Sequence, residues 1–364
     1  MPRFLQIRRL FWRLAAMLLL CPAPAGAATG YYALDHAAIA VKDPAHTPLI
    51  AIARAGGALV AAGLHGTIVV STDNGQSWTQ AKVPVDLTLT DLYFTSPRDG
   101  WAVGHYGTIL HSTDGGRSWR VAVSGLEVIQ AVGATAASAA SAAPAPGVPW
   151  VASAAIDQRV ASAYTQDGPS KPFLAVGMCG GALLAAGQQD MAMRRQGQGN
   201  WAEWTSKINN PDFQNIYDIV PDGASTLLVG ENGLLLRGDS SCRNFTPLSG
   251  PYTATLFGAV QAGGQWVVFG LQGEVYRSAD EGASWAPVTL GTDAAILAGV
   301  ALPSGRVLLA AGNGNLYLSA PDLSTYALLP QHVPAVADLA LAADGGAVAV
   351  GALGVSLIPA TSLR

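Results

Sequence analysis

Glycine closes a short apolar run at Gly63, Gly104, Gly187, Gly230, Gly270, Gly312 and Gly351, at intervals of 41, 83, 43, 40, 42 and 39 residues. The preceding residues repeat as well: Leu59 to Ala62, Trp101 to Val103, Leu227 to Val229, Val267 to Phe269 and Val348 to Val350 are all strand-like runs. A second glycine follows three residues on at Gly66, Gly107, Gly233, Gly273 and Gly354, and both glycines are expected to supply positive φ in a tight turn. A unit of about forty residues with about four short strands is what one blade of a β-propeller needs. Helical solenoids share the period but need long 3.6-residue periodicity, which Gly and Pro interrupt here nearly every ten residues.

A second motif runs in phase with the first. Ser71, Asp73, Gly75 and Trp78; Ser112, Asp114, Gly116 and Trp119; and Ser278, Asp280, Gly282 and Trp285 all fit S-x-D-x-G-x-S-W, each starting eight residues after a blade glycine. This pattern resembles the Asp box of the bacterial-neuraminidase (BNR) repeat. The Asp is suited to accept turn amides, the Gly to adopt positive φ and the Trp to anchor the turn. Degenerate copies lie at Gly238 to Phe245, near Arg194 to Trp201 and near Ser319 to Tyr326.

The interval of 83 is the irregularity. Residues 131–149 are rich in Ala, Ser and Pro and lack both motifs, so 126–172 is expected to be an insertion in a seven-bladed ring rather than an eighth blade. A short helix is expected within 152–164. The last repeat ends without a box, and residues 31–41 are expected to supply its missing fourth strand and close the ring. The fold class expected is all-β, a single seven-bladed propeller over residues 28–364.

Four arginines precede the apolar run Leu14 to Leu20, and Ala25-Gly26-Ala27 offers a cleavage site after Ala27. Residues 1–27 are therefore expected to be a signal peptide, and the chain periplasmic or secreted. Cys21 sits in a poor lipoprotein box, with Leu20 before it and Pro22 after it. Without the leader, 16 Lys and Arg face 24 Asp and Glu, a net charge of −8. Such a chain is a poor nucleic-acid ligand, because that affinity comes from neutralising phosphates. No later run is long enough for a membrane span. An oxidising compartment permits a disulfide between Cys179 and Cys242, and spacing leaves that pairing open.

The residues point to no catalytic site, metal or cofactor. A sialidase-like glycosidase needs an arginine cluster, a Tyr activated by Glu and an acid; Arg54, Arg98, Arg306, Glu231 and Tyr106 are the only set that suggests one, and their spacing does not require convergence. His65 and His105 occupy glycine turns of adjacent blades, with His111 on the following strand, which suggests a metal or acid–base pair but no third ligand. Trp101, Trp266 and the box tryptophans suit core packing better than sugar stacking.

The stretch Asp99 to Trp119, with its glycine turn and box, resembles the blades of the photosystem II stability/assembly factor family. Gly168 to Leu174 and Asn210 to Asp212 resemble connectors of exported Gram-negative relatives that carry an Ala-rich insertion after the second blade. The resemblance implies seven blades and a non-catalytic role: binding a protein partner as an assembly or stability factor for a membrane complex, with transporters of the resistance-nodulation-division type among the associated partners. The alternative is a BNR-type glycosidase or carbohydrate-binding lectin.

Overall fold

A computed structural model describes residues 32–141, 161, 162, 164, 166, 168–197, 199–223 and 225–364. Seven antiparallel sheets follow one another along the chain. Their first strands are β1 (Leu49–Ala55), β5 (Leu89–Phe94), β9 (Phe173–Cys179), β13 (Ile216–Asp222), β17 (Leu256–Ala262), β21 (Ile296–Ala301) and β25 (Val336–Leu341). Each of these neighbours the next, and β25 returns to β1, so the sheets form a closed seven-bladed β-propeller. The expected blade count holds.

The second strands explain the apolar runs. In β6 (Gly100–Gly104) and β26 (Ala347–Gly351) every residue is buried. A strand in the middle of a blade is covered on both faces by adjacent blades, so it is continuously apolar rather than alternating. Between the blades lie separate cores, such as the one joining Val60, Leu89 and Leu110 across the first and second blades.

The blade glycines are needed for a different reason than positive φ. Gly63 is extended, with φ −164°, and a Cβ there would collide with the Pro48 carbonyl. Gly104, Gly187, Gly230, Gly270 and Gly351 meet the carbonyls of Thr88, Pro172, Asn215, Thr255 and Ala335 in the same way. The cause is a bulge at the start of each first strand, which carries its backbone onto the glycine. Positive φ falls later in the turn, at Gly66 (65°) and at His65 before it (54°).

The segment between the second and third sheets begins with the helix Gly125–Ser141. Ser124 and Glu127 form a reciprocal cap at its start, and Val128 and Val132 are buried against the core shared by these two blades. Most of the helix expected within 152–164 lies outside the described residues, as does the leader 1–27.

The seventh sheet has three strands, ending with β27 (Gly354–Ile358), and 31–41 does not complete it. Tyr32–Asp35 forms a helical turn, and the residues after it run along the first blade. Ala38 N–H donates to the Val83 carbonyl (3.1 Å), and Gln80 bonds Ile39 O and Val41 N through its side-chain amide. The ring closes through its first strands, so no fourth strand is required for closure. Cys179, at the end of β9, forms a disulfide with Cys242 and joins the third blade to the fourth.

Candidate functional site

The bulges also set what faces the ring axis. The residue after the bulge is Ala51, Asp91, Ala175, Asp218, Gly258, Ala298 and Asp338 in blades one to seven. Each Asp is followed, in the next blade, by a small residue. Each carboxylate crosses that space to a backbone amide: Asp91 to Val176 N–H (2.7 Å), Asp218 to Ala259 N–H (3.0 Å) and Asp338 to Ile52 N–H (2.8 Å). They border an axial cavity of about 390 Å³ whose lining includes no Lys, Arg or His. Burial raises all three carboxyls, Asp218 to about 6 and Asp338 to about 7, and repulsion from the other two adds to the rise at Asp91. These acids brace blade junctions, with carboxylate oxygens engaged by backbone amides of the next blade.

A second cavity, of about 460 Å³, opens between the second and third blades beneath the inserted helix. Trp101 of β6 stacks on His111 of β7 (Thr108–Ser112), with ring centroids 4.0 Å apart, and meets Trp201 edge-on at 5.5 Å. The Arg195 guanidinium lies 4.6 Å from the Trp101 ring centre. Asp99 accepts from His111 Nε2 (2.7 Å) and Trp101 Nε1 (3.2 Å), and Arg120 donates to His111 Nδ1 (2.7 Å). The cavity thus has aromatic and cationic walls, with the carboxylate of Glu127 at its rim held by the Ser124 amide and hydroxyl.

The three S-x-D-x-G-x-S-W segments share one hydrogen-bonded turn. Asp73 Oδ1 accepts from Ser71 Oγ (2.7 Å) and Ser77 N–H (2.9 Å), while Ser71 Oγ accepts from Gly75 N–H (2.8 Å). Asp114 and Asp280 repeat the pattern with Ser112 and Ser118, and with Ser278 and Ser284. Serine hydrogen bonds hold the Asp73 and Asp280 carboxyls down at about 2. Trp78 and Trp119 donate to Gly75 O and Gly116 O, both at 2.9 Å. The glycines lean on the preceding blade: Gly116 on Val60, Gly75 on Val348 and Gly282 on Leu248. The Asp oxygens are engaged inside their own turns.

The glycosidase set does not converge. Arg54, Arg98 and Arg306 flank turns between first and second strands, whereas Tyr106 and Glu231 lie in turns between second and third strands. In an antiparallel meander these turns are at opposite strand ends, hence on opposite faces of the ring. Arg54 and Arg306 bond to Gly56 O and Ser319 O. His65 is paired with Asp86 at 2.9 Å on the surface, while His111 belongs to the cleft. Among the described residues no group of three or more His, Cys, Asp or Glu could hold a metal ion, and no helix is long and apolar enough to cross a membrane.

Sequence reasoning missed the axial acids and the cleft. An acid 12 or 13 residues before the blade glycine, in Asp91, Asp218 and Asp338, was the available signal for the first. Arg120, Arg195 and Trp201 carry no such signal, because they meet only when the second and third blades pack.

Residues 70–132, which include the whole second blade and the start of the inserted helix, match the family model described as photosynthesis system II assembly factor YCF48. Over these residues the chain is similar to photosystem II assembly factor-like BNR repeats. Among solved structures, YCF48 bound to D1 peptide is similar to this chain with a TM-score of 0.61 at 16% identity, covering 89% of this chain and 95% of that one. YCF48 from Cyanidioschyzon merolae gives 0.59 at 14% identity, with 86% and 96% covered. Streptogramin B lyase gives 0.61 at 13% identity, with 90% and 100% covered. A peptide-bound protein and a lyase therefore share this fold, and the fold alone does not choose between binding and catalysis. No curated protein matches the chain by sequence.

Proposed function

We propose that the chain is a non-catalytic, exported propeller that binds a protein partner and serves as an accessory or assembly factor for a membrane protein complex. The observation that carries this reading is the assembly-factor match over residues 70–132. It coincides with the blade that forms one wall of the aromatic and cationic cleft. The leader-like residues 1–27 support a periplasmic location, and a transporter of the resistance-nodulation-division type is the partner class we favour. The D1 peptide held by a YCF48 propeller supports the peptide-binding element of the proposal. Separation of Arg54, Arg98 and Arg306 from Glu231 and Tyr106 argues against the glycosidase alternative.

Affinity capture of the tagged protein from periplasmic and detergent-solubilised membrane fractions tests it. The expected result is one membrane protein enriched in every replicate. Absence of any reproducible partner, together with turnover of an aryl sialoside, would overturn the proposal.

A further inference from the structure

We propose that the cavity on the ring axis is a binding site for an alkylammonium group, taken as the lysine side chain of an extended segment of the protein partner. Its lining holds the carboxylates of Asp91, Asp218 and Asp338, each residue only partly covered and so within reach of a group that enters. Asp91 accepts from the amides of Leu92 and Val176, and Asp338 from those of Leu339 and Ile52. A carboxylate has about four lone-pair sites, so acceptor capacity remains at each. Charge taken out of bulk water calls for a partner of opposite sign, yet among the described residues no Lys, Arg or His lines the cavity.

The acids alone brace the blades; the collar beside them is what points to an occupant. Each bulge at the start of a first strand holds one extra residue, and all seven of these line the cavity, among them Ile50, Leu174, Tyr217, Phe257 and Leu297. They stand one residue nearer the strand start than the acids, hence nearer the face of the ring at which the first strands begin. Tyr217 and Phe257 meet edge to face with centroids 5.8 Å apart, and present aromatic surface to a methylene stem and its cation. An ammonium has three donors and no acceptor, which matches a site of acceptors, and its bonds to carboxylates are charge-assisted. An anion meets like charge there.

The surrounding face selects a protein segment over a free amine. None of the seven turns after the blade glycines carries Lys or Arg, and the exposed Leu64, Leu271 and Leu353 sit in three of them. A lysine flanked by apolar residues fills the cavity and covers these leucines together, whereas a free amine leaves them bare.

This inference rests on the partner reading for the source of the lysine, and its test keeps the two apart. The probes are acetyl-Leu-Lys-Leu-amide, the same peptide with norleucine in place of lysine, and n-pentylammonium. They are titrated by calorimetry into the full chain at pH 8, above the values of about 6 and about 7 to which burial raises Asp218 and Asp338. We expect the lysyl peptide to bind about tenfold or more tightly than either other probe. The double variant Asp218→Asn, Asp338→Asn is expected to remove most of that ratio. Ala337→Lys, which sets an ammonium in the collar and leaves the acids in place, is expected to abolish binding of the lysyl peptide. Equal affinity of the two peptides, or no binding up to about 5 mM, overturns the proposal. So does an unchanged ratio in both variants, each first shown to unfold cooperatively. Pentylammonium binding as tightly as the peptide overturns the assignment to a protein segment. Partner capture undiminished by Ala337→Lys counts against the lysine site alone, and lysyl-peptide binding without any captured partner counts against the partner reading alone.

Discussion

Asp338 on the seventh blade accepts a hydrogen bond from the backbone amide of Ile52 on the first, at 2.8 Å, and so spans the junction where the two ends of the chain meet. Asp91 and Asp218 make the same contact at two other junctions. Replacing Asp338 by Ala leaves the amide of the buried Ile52 without this acceptor. We expect a loss of about 1–3 kcal/mol in denaturant unfolding, and a smaller loss for Asp338→Asn, whose one carbonyl oxygen keeps one of the two amide bonds, from Ile52 and Leu339, that the carboxylate accepts.

The same acids set a pH dependence. Burial raises Asp218 to about 6 and Asp338 to about 7, so the folded chain holds protons that the unfolded chain has released. Their contribution to stability is present below the unfolded carboxyl range near 4 and is lost as pH rises through 6 and 7. The serine-bonded turn acids act oppositely: Asp73 and Asp280, held at about 2, contribute above the unfolded range and are lost as pH falls through 2. Thermal unfolding from pH 3 to 8 should show a maximum near pH 4–5. The double variant Asp218→Asn, Asp338→Asn should flatten the fall above it. An unchanged slope between pH 5 and 7.5 in that variant contradicts the assignment.

The Cys179–Cys242 bond closes a loop with a sequence separation of 63. Chain entropy for a loop of that size corresponds to about 4 kcal/mol, or about 5 °C in a domain of this length. Calorimetry of the oxidised chain against Cys179→Ala, Cys242→Ala should give a drop of that order.

Gly116 has φ 85° and faces Val60 of the preceding blade, where a Cβ would approach its methyls to 2.9 Å and 3.0 Å. Gly116→Ala combines left-handed strain with an inter-blade clash, and about 2 kcal/mol of destabilisation is expected. Gly57, where an added Cβ meets nothing within 4 Å, is the control. Gly57→Ala should unfold close to wild type.

The blades were legible because their central strands are buried on both faces and end in glycine, a pattern that needs no tertiary knowledge. The S-x-D-x-G-x-S-W turns were legible because their hydrogen bonds are local. What the glycines do was misread: Gly63 yields to the Pro48 carbonyl, a contact created by a bulge that composition does not announce. The axial acids were hidden for the same reason, since the bulge decides that Asp91 faces the axis rather than a core. The closing strand expected at 31–41 failed because closure is carried by β25 against β1. The cleft was invisible because Trp101 and Arg195 come from blades separated by the inserted segment.

In-cell cross-linking followed by mass spectrometry of the purified adducts tests the central claim most directly. The account predicts recurrent cross-links from the second and third blades to one membrane protein. Cross-links scattered over unrelated proteins at background frequency, with a glycoside turned over by the purified chain, would contradict it.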